Sequence, residues 1–174
     1  MRNLIAPKSD SIATPDWCAK DIVEWYQPSG EVLDPCSGNG VFLKYLPQGS
    51  YSCEIEQGSN FFDWQKKVDW VVGNPPYSIF IDWLEHSYKI ANNIVYLIPS
   101  HKLFNPLSCL RMLRDFGMIK HIRAYDVGRK IEWSRSRQIF AVHIQKGYYG
   151  DTSWSFYGLP NKACTRLGAG CGSK

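Results

Sequence analysis

The sequence predicts an α/β fold: a mostly parallel sheet with an antiparallel strand pair at one edge and helices on both faces. Three observations carry this. Short apolar runs alternate with stretches of helical period along most of the chain. Residues 93–99 form a near-continuous apolar run, as in a strand covered on both sides. The last two β-rich runs have no helix between them, so they should pair antiparallel.

The elements follow in order. Thr14-Pro15-Asp16 opens a helix to Tyr26, with threonine as N-cap, proline in the first turn and an early acid. Residues 31–34 are a short strand, and residues 41–46 the helix after its turn, stopped by Pro47. Residues 51–55 and 68–73 are further strands. Ser78 can cap a helix whose positions Phe80, Trp83, Leu84, Ser87 and Ala91 fall near helical spacing. Residues 107–116 are helical, and residues 118–126 and 138–145 are the closing strands around a basic loop. Residues 1–159 read as one domain, and 160–174 as a loose glycine-rich tail.

A chain of 174 residues suits one domain with a proper core. With 44% apolar and 21% charged residues it is neither a disordered nor a low-complexity chain. No apolar run approaches the roughly 18 residues of a membrane span. The first eight residues lack the apolar core of a secretory signal. A cytoplasmic protein without membrane contact is the expectation. None of the six cysteines sits in a C-x-x-C pair, so they read as reduced and structural, with no metal site. The net charge of +4 divides into −5 over residues 1–99 and +9 over residues 100–174. Such asymmetry suits a polyanion met on one side, although basic solvated surfaces are common.

Asp34-Pro35-Cys36-Ser37-Gly38-Asn39-Gly40 places an acid at a strand end and a glycine-bearing turn after it. In a doubly wound sheet such turns form the ligand crevice. Gly38 and Gly40 would let backbone pass close to a ligand. A dinucleotide fingerprint needs a third glycine where Leu43 stands, and the phosphate-loop ending is missing too. That leaves a nucleoside-type ligand without a pyrophosphate, although a lone Gly-Asn-Gly is more often a plain turn. Glu54 at the end of the second strand suits a ribose diol. Glu56, on the same face, competes with it, and a plain surface acid is the bland alternative.

Asn74-Pro75-Pro76-Tyr77 is the sharpest signal. Two prolines stiffen the backbone and remove two N–H donors. Acceptors remain: the Asn74 side-chain carbonyl and the Pro75 backbone carbonyl, with Tyr77 as a ring able to stack on a planar base. An exocyclic amino group on a base, or a primary amide, is planar and a poor nucleophile. Two acceptors holding its hydrogens localise the lone pair without a strong base. A bare Asn-Pro-Pro alone is also a plain proline-rich turn.

Together, Thr14-Pro15, the 34–40 turn, Glu54 and Asn74-Pro75-Pro76-Tyr77 resemble the S-adenosylmethionine-dependent amino-methyltransferases acting on DNA. The likeness spans roughly residues 12–146. It is strongest to the adenine-N6 branch, in which the cofactor motifs precede the catalytic one. The resemblance implies a Rossmann-like methyltransferase fold, a role in DNA methylation such as restriction-modification, and no metal. It implies cofactor contacts from Thr14, Pro15, Asp34, Pro35, Gly38, Gly40, Glu54 and Ile55, and from Asn60 and Phe61 on the adenine, with Asp63 as an alternative to Asn60. It implies a catalytic set of Asn74, Pro75, Pro76 and Tyr77, receiving a flipped-out adenine. Arg129, Lys130, Arg135 and Arg137 around Trp133 suit phosphate contacts and base stacking, or else a solvated hairpin tip.

Only 10 residues separate Asp63 from Asn74, so no target-recognition domain is inserted there. Fewer than 30 follow Gln145. Selectivity is therefore expected to be weak, or borrowed from a specificity subunit or a second copy. RNA adenine, protein glutamine and a non-catalytic cofactor-binding subunit are the rival readings, in that order.

Overall fold

The computed structural model describes residue 10, residues 12–125 and residues 138–158. Among the described residues four α-helices and seven strands follow in chain order: α1 (Asp16–Tyr26), β1 (Val32–Asp34), β2 (Tyr51–Ser52), β3 (Val68–Gly73), α2 (Phe80–Ile90), β4 (Ala91–Pro99), α3 (Ser100–Phe104), α4 (Leu107–Phe116), β5 (Ile119–Tyr125), β6 (Ile139–Gln145) and β7 (Ser153–Phe156). The sheet order is β2-β1-β3-β4-β6-β5-β7. Strands β1 to β4 are parallel, β6 runs antiparallel to β4 and β5, and β7 pairs parallel with β5. The α/β class and the antiparallel pair are as expected. The pair is not the edge, because β7 lies outside it.

Strand β4 shows why the sheet sits in the middle. Ile94, Tyr96 and Ile98 join Phe80, Leu84, Leu103, Cys109 and Leu113 in one apolar cluster. Val95 and Leu97 join Cys18, Ala19, Ile22 and Val23 in another. Period-two alternation thus sends neighbouring residues into opposite layers. One layer is covered by α2, α3 and α4, the other by α1 with Phe42 and Leu46. Arg123 of β5 locks α1 in place through a bidentate pair to Asp21, with both contacts at 2.6 Å. Tyr125 donates to the same carboxylate at 2.7 Å, and Arg123 also reaches Ser155 of β7 at 3.2 Å.

Several local expectations are corrected. Residues 41–46 form successive turns rather than a regular helix; Tyr45 and Leu46 N–H groups both return to the Phe42 carbonyl. Gly40, at φ 75°, and Pro47 bracket too short a stretch to repay helix nucleation. Pro15, not Thr14, stands at the N-cap of α1, and no side chain caps it. Ser78 does not cap α2: Tyr77–Ile79 is a 3-10 turn, the N-cap position is Ile79, and Ala91 already belongs to β4. Strand β2 ends at Ser52, and Ile55–Gln57 is a 3-10 turn. Among the described residues no helix is long and apolar enough to cross a membrane.

The α1 face also holds two cross-strand histidines. His143 stacks on Trp70 at 5.0 Å and donates from Nε2 to Asn93 Oδ1 at 3.1 Å. The Tyr26 hydroxyl donates to the Ala141 carbonyl at 2.9 Å and therefore accepts from His121 Nδ1 at 3.0 Å. Burial, then nearby cations, holds both imidazoles down at about 4. The unfolded chain takes up these protons first, so stability is lost as pH falls from about 6.5 to about 4 and the loss then levels off. His143→Gln keeps a donor for Asn93. Urea denaturation at pH 7 and pH 4.5 should show the variant losing about 1–3 kcal/mol less than the wild type across that window.

Candidate active site

The carboxyl ends of β1 and β3 lie side by side, where the sequence places the ligand crevice. Asp34 closes β1 and is 0% exposed. Its Oδ1 accepts from the Cys36 N–H at 3.2 Å, while Oδ2 is buried without a hydrogen-bond partner among the described residues. Burial pushes this carboxyl up to about 7; the Cys36 N–H opposes the shift and the charge of Glu54 adds to it. Gly73 closes β3 directly against it. A Cβ there would lie 3.0 Å from Asp34 Oδ1 and 3.1 Å from Pro35 Cδ. The Cys36 thiol bridges the two loops by donating to the Asn74 carbonyl at 3.1 Å. Cys36 and Gly73 are the joint that sequence reasoning missed. The available signal was position alone: Cys36 lies within the 34–40 turn and Gly73 directly before Asn74.

The turn after Asp34 is held by the backbone of β2's extension. Cys53 N–H donates to the Asp34 carbonyl and Ser37 N–H to the Cys53 carbonyl, each at 2.9 Å. Gly38 and Gly40 take φ of 51° and 75°, and a Cβ at Gly38 would meet nothing within 4 Å. The backbone conformation favours glycine there, and the space beside Gly38 is open. The Glu54 carboxylate accepts from Gly38 N–H at 2.6 Å through Oε2 and from Glu56 N–H at 3.2 Å through Oε1. Glu54, not the exposed Glu56, is therefore the acid joined to the glycine turn. Ile55 beside it is 49% exposed, an apolar side chain presented to solvent.

Asn60 caps the 3-10 turn Phe61–Asp63 by accepting from Phe62 N–H at 3.1 Å. The Phe61 ring is only 2% exposed and packs against Trp83 at 4.6 Å and edge-on to His86 at 4.8 Å. In this conformation it serves the core and offers no face to a ligand. Asp63 is exposed.

The tetrapeptide stands across the crevice. Asn74 Nδ2 donates to the Ile12 carbonyl at 3.0 Å and to Thr14 Oγ1 at 3.1 Å. Tyr77 donates to Asn74 Oδ1 at 2.8 Å and lies 3.3 Å from the Leu97 carbonyl. Tyr77 is 8% exposed, and burial raises its phenol far above the ordinary range. Pro75 is buried and Pro76 half-buried. Thr14 therefore joins the tetrapeptide through the segment before α1, while the Pro15 carbonyl accepts from the first turn of that helix. Arg129, Lys130, Trp133, Arg135 and Arg137 lie outside the described residues. Tyr125 and Ile139, which flank that stretch, pair with each other, and Ile139 pairs with Pro99 at the carboxyl end of β4. Among the described residues no three His, Cys, Asp or Glu side chains group as a metal-binding set.

No family model matches the sequence, and no curated protein sequence is detectably similar to it. Solved structures do share its architecture. The M protein of the type I restriction enzyme EcoKI superposes with a TM-score of 0.63 at 15% identity, covering 79% of this chain and 44% of that one. A type I restriction-modification methyltransferase subunit from Streptococcus thermophilus gives 0.61 at 16% identity, covering 83% of this chain and 47% of its own. A protein described as an RNA methyltransferase, from Pyrococcus horikoshii, gives 0.60 at 14% identity, covering 80% and 89%. The chain thus spans less than half the length of the two restriction-system subunits. At these identities the likeness speaks for architecture alone: the chain has the Rossmann-like methyltransferase fold.

Proposed function

We propose that this chain transfers a methyl group from S-adenosylmethionine to the exocyclic N6 of adenine in DNA. One observation carries the reading. The Asn74-Pro75-Pro76-Tyr77 turn is joined by Cys36 to a buried Asp34 whose second oxygen has no partner among the described residues. A ligand that brings a cation and a polar amino-acid end fits that orphaned oxygen, and the open turn at Gly38 fits a ligand laid along it. When bound, S-adenosylmethionine supplies an electrophilic methyl group on a positively charged sulfur and would be left as S-adenosylhomocysteine, the methylated nitrogen shedding one proton to solvent.

The chain's own residues divide the remaining work. Asp34 would take the ligand's amino group, which draws its carboxyl to the ionised form. Gly38, Gly40 and Pro35 would line the ligand's backbone side, with Thr14 and Pro15 at its end. Glu54 would exchange an N–H partner for ribose hydroxyls, and exposed Ile55 would cover the ligand's base with Asn60 and Phe61 nearby. Asn74 Oδ1 and the Pro75 carbonyl would accept the two hydrogens of the substrate's amino group. Pro76 holds the turn stiff, and the Tyr77 ring would stack on the extruded base once it leaves Asn74. Positioning and fixed dipoles carry the step. The basic stretch with Arg129, Lys130, Trp133, Arg135 and Arg137 would contact the nucleic acid. Selectivity would come from a further subunit or a second copy, as the restriction-system subunits among the similar structures suggest. RNA adenine is the second reading, favoured by the Pyrococcus likeness.

Labelled S-adenosylmethionine offered with duplex DNA, single-stranded DNA, RNA and protein extract tests this. The expected product is N6-methyladenine in DNA, reduced at least about 100-fold in Asn74→Ala. Label in RNA would move the substrate, and label in glutamine would overturn the nucleic-acid reading. Asp34 gives a second test with opposing signs. Its raised carboxyl destabilises the free protein above about pH 7, and the penalty fades as pH falls toward the ordinary carboxylate range. Thermal melts should therefore show Asp34→Asn more stable than wild type by about 3–5 kcal/mol at pH 8.5 and by only about 1–2 kcal/mol at pH 5. The cofactor should raise the melting temperature of the wild type and leave that of Asp34→Asn unmoved.

A further inference from the structure

The stretch before α1 crosses the carboxyl end of β3 and holds the Asn-Pro-Pro-Tyr turn at two points. At one, both N–H groups of the Asn74 amide are taken, by the Ile12 carbonyl at 3.0 Å and by Thr14 Oγ1 at 3.1 Å. At the other, Ser78 N–H donates to Asp10 Oδ2 at 2.7 Å. These partners are brought together from 60 to 68 positions away in sequence.

A side-chain amide can sit in either of two flipped orientations, and its partners decide between them. The Ile12 carbonyl accepts and cannot donate, so it must face the NH2 half. A flip would set Oδ1 against that carbonyl, oxygen to oxygen with no hydrogen between. Thr14 takes the second N–H, which leaves Oδ1 on the side of the Tyr77 hydroxyl, 2.8 Å away. An amino group about to be methylated carries hydrogens and needs acceptors. An amide presented by its nitrogen would repel it.

We infer that Asp10, Ile12 and Thr14 form a positioning clamp for the catalytic turn, setting the Asn74 amide so that its oxygen meets the substrate's amino group. The consequence for catalysis rests on the proposed methyl transfer; the clamp itself rests on the hydrogen bonds. Thr14 acts here through Asn74, a role separate from bordering the cofactor.

Thr14→Val keeps the shape and removes the acceptor, and Thr14→Ser restores it. The measurements are kcat, the cofactor Kd, and the hydrogen exchange of the Asn74 side-chain NH2 pair by NMR, assigned through its loss in Asn74→Ala. The clamp predicts that Thr14→Val lowers kcat about tenfold at saturating cofactor, whatever it does to the cofactor Kd, and speeds exchange of the NH2 pair. Thr14→Ser should return both toward wild type. An unchanged NH2 pair overturns the clamp, as does a weakened cofactor Kd with unchanged kcat. If the wild type methylates nothing offered, the methyl-transfer reading falls, and the NH2 pair alone still decides the clamp in either direction.

Discussion

The crevice depends on how closely the carboxyl ends of β1 and β3 approach each other. With a side chain at position 73, Asp34 and Pro35 would have to move away, because a Cβ there would sit 3.0–3.1 Å from both. Glycine permits the approach, and Cys36 then spans it by bonding to the Asn74 carbonyl. The same closeness takes the Asp34 carboxyl out of water with one N–H for company. An ionised carboxylate so placed is costly, and its raised titration is that cost expressed in another variable. If Asp34 takes the proposed ligand, binding and stability of the chain are opposed at that one side chain. A positively charged ligand group would relieve what folding leaves unsatisfied.

A second tie lies on the opposite side of the sheet and reaches the crevice through α1. The Arg123–Asp21 pair is bidentate and nearly buried, with side-chain exposures of 8% and 17%. The guanidinium also lies 4.0 Å from the Trp25 ring centre. Lys20–Glu24 and Lys89–Glu85 are exposed one-turn pairs of small worth by comparison. Removing one partner of a buried pair strands the other charge, so this contact fixes the position of α1 on β5. Pro15 begins that helix by accepting from Cys18 N–H at 3.0 Å. Thr14 and Ile12 come immediately before it. The packing of α1 thus determines where the Ile12 carbonyl falls relative to Asn74.

Much of the architecture was legible because the governing forces are local or periodic. Strand 68–73 and helix 107–116 stand where pattern and punctuation put them. The two faces of β4 follow from alternation alone. Two departures come from contacts distant in sequence. Thr14 looks like an N-cap, yet its hydroxyl serves Asn74. Ser78 looks like a cap, yet its N–H is met by Asp10. Residues 41–46 carry the right spacing, and Phe42 and Leu46 are buried as that spacing requires, without a regular helix between them. Strand β7 went unseen because Ser155 alone among its four residues is buried. Phe61 has the composition of a ligand platform and the surroundings of a core residue. Periodicity reports which way a side chain faces and is silent on what meets it there.

The free crevice is closed on itself, and this bears on which acceptor the proposed reaction would take. Asn74 Oδ1, the acceptor the reaction needs, is engaged by the Tyr77 hydroxyl, and the Tyr77 ring is buried. Opening the site gives up that hydrogen bond, a net loss of about 0.5–1.5 kcal/mol, and brings an aromatic face into the crevice. A glutamine amide can replace the hydrogen bond to Oδ1 but offers only a small plane to the ring. A purine replaces the hydrogen bond and stacks as well, for about 1–3 kcal/mol. The two acceptors pose the same nitrogen chemistry, so the stacking surface separates them. If the proposed reaction draws the Tyr77 ring into the crevice, it would favour the acceptor able to cover that ring, which is the base.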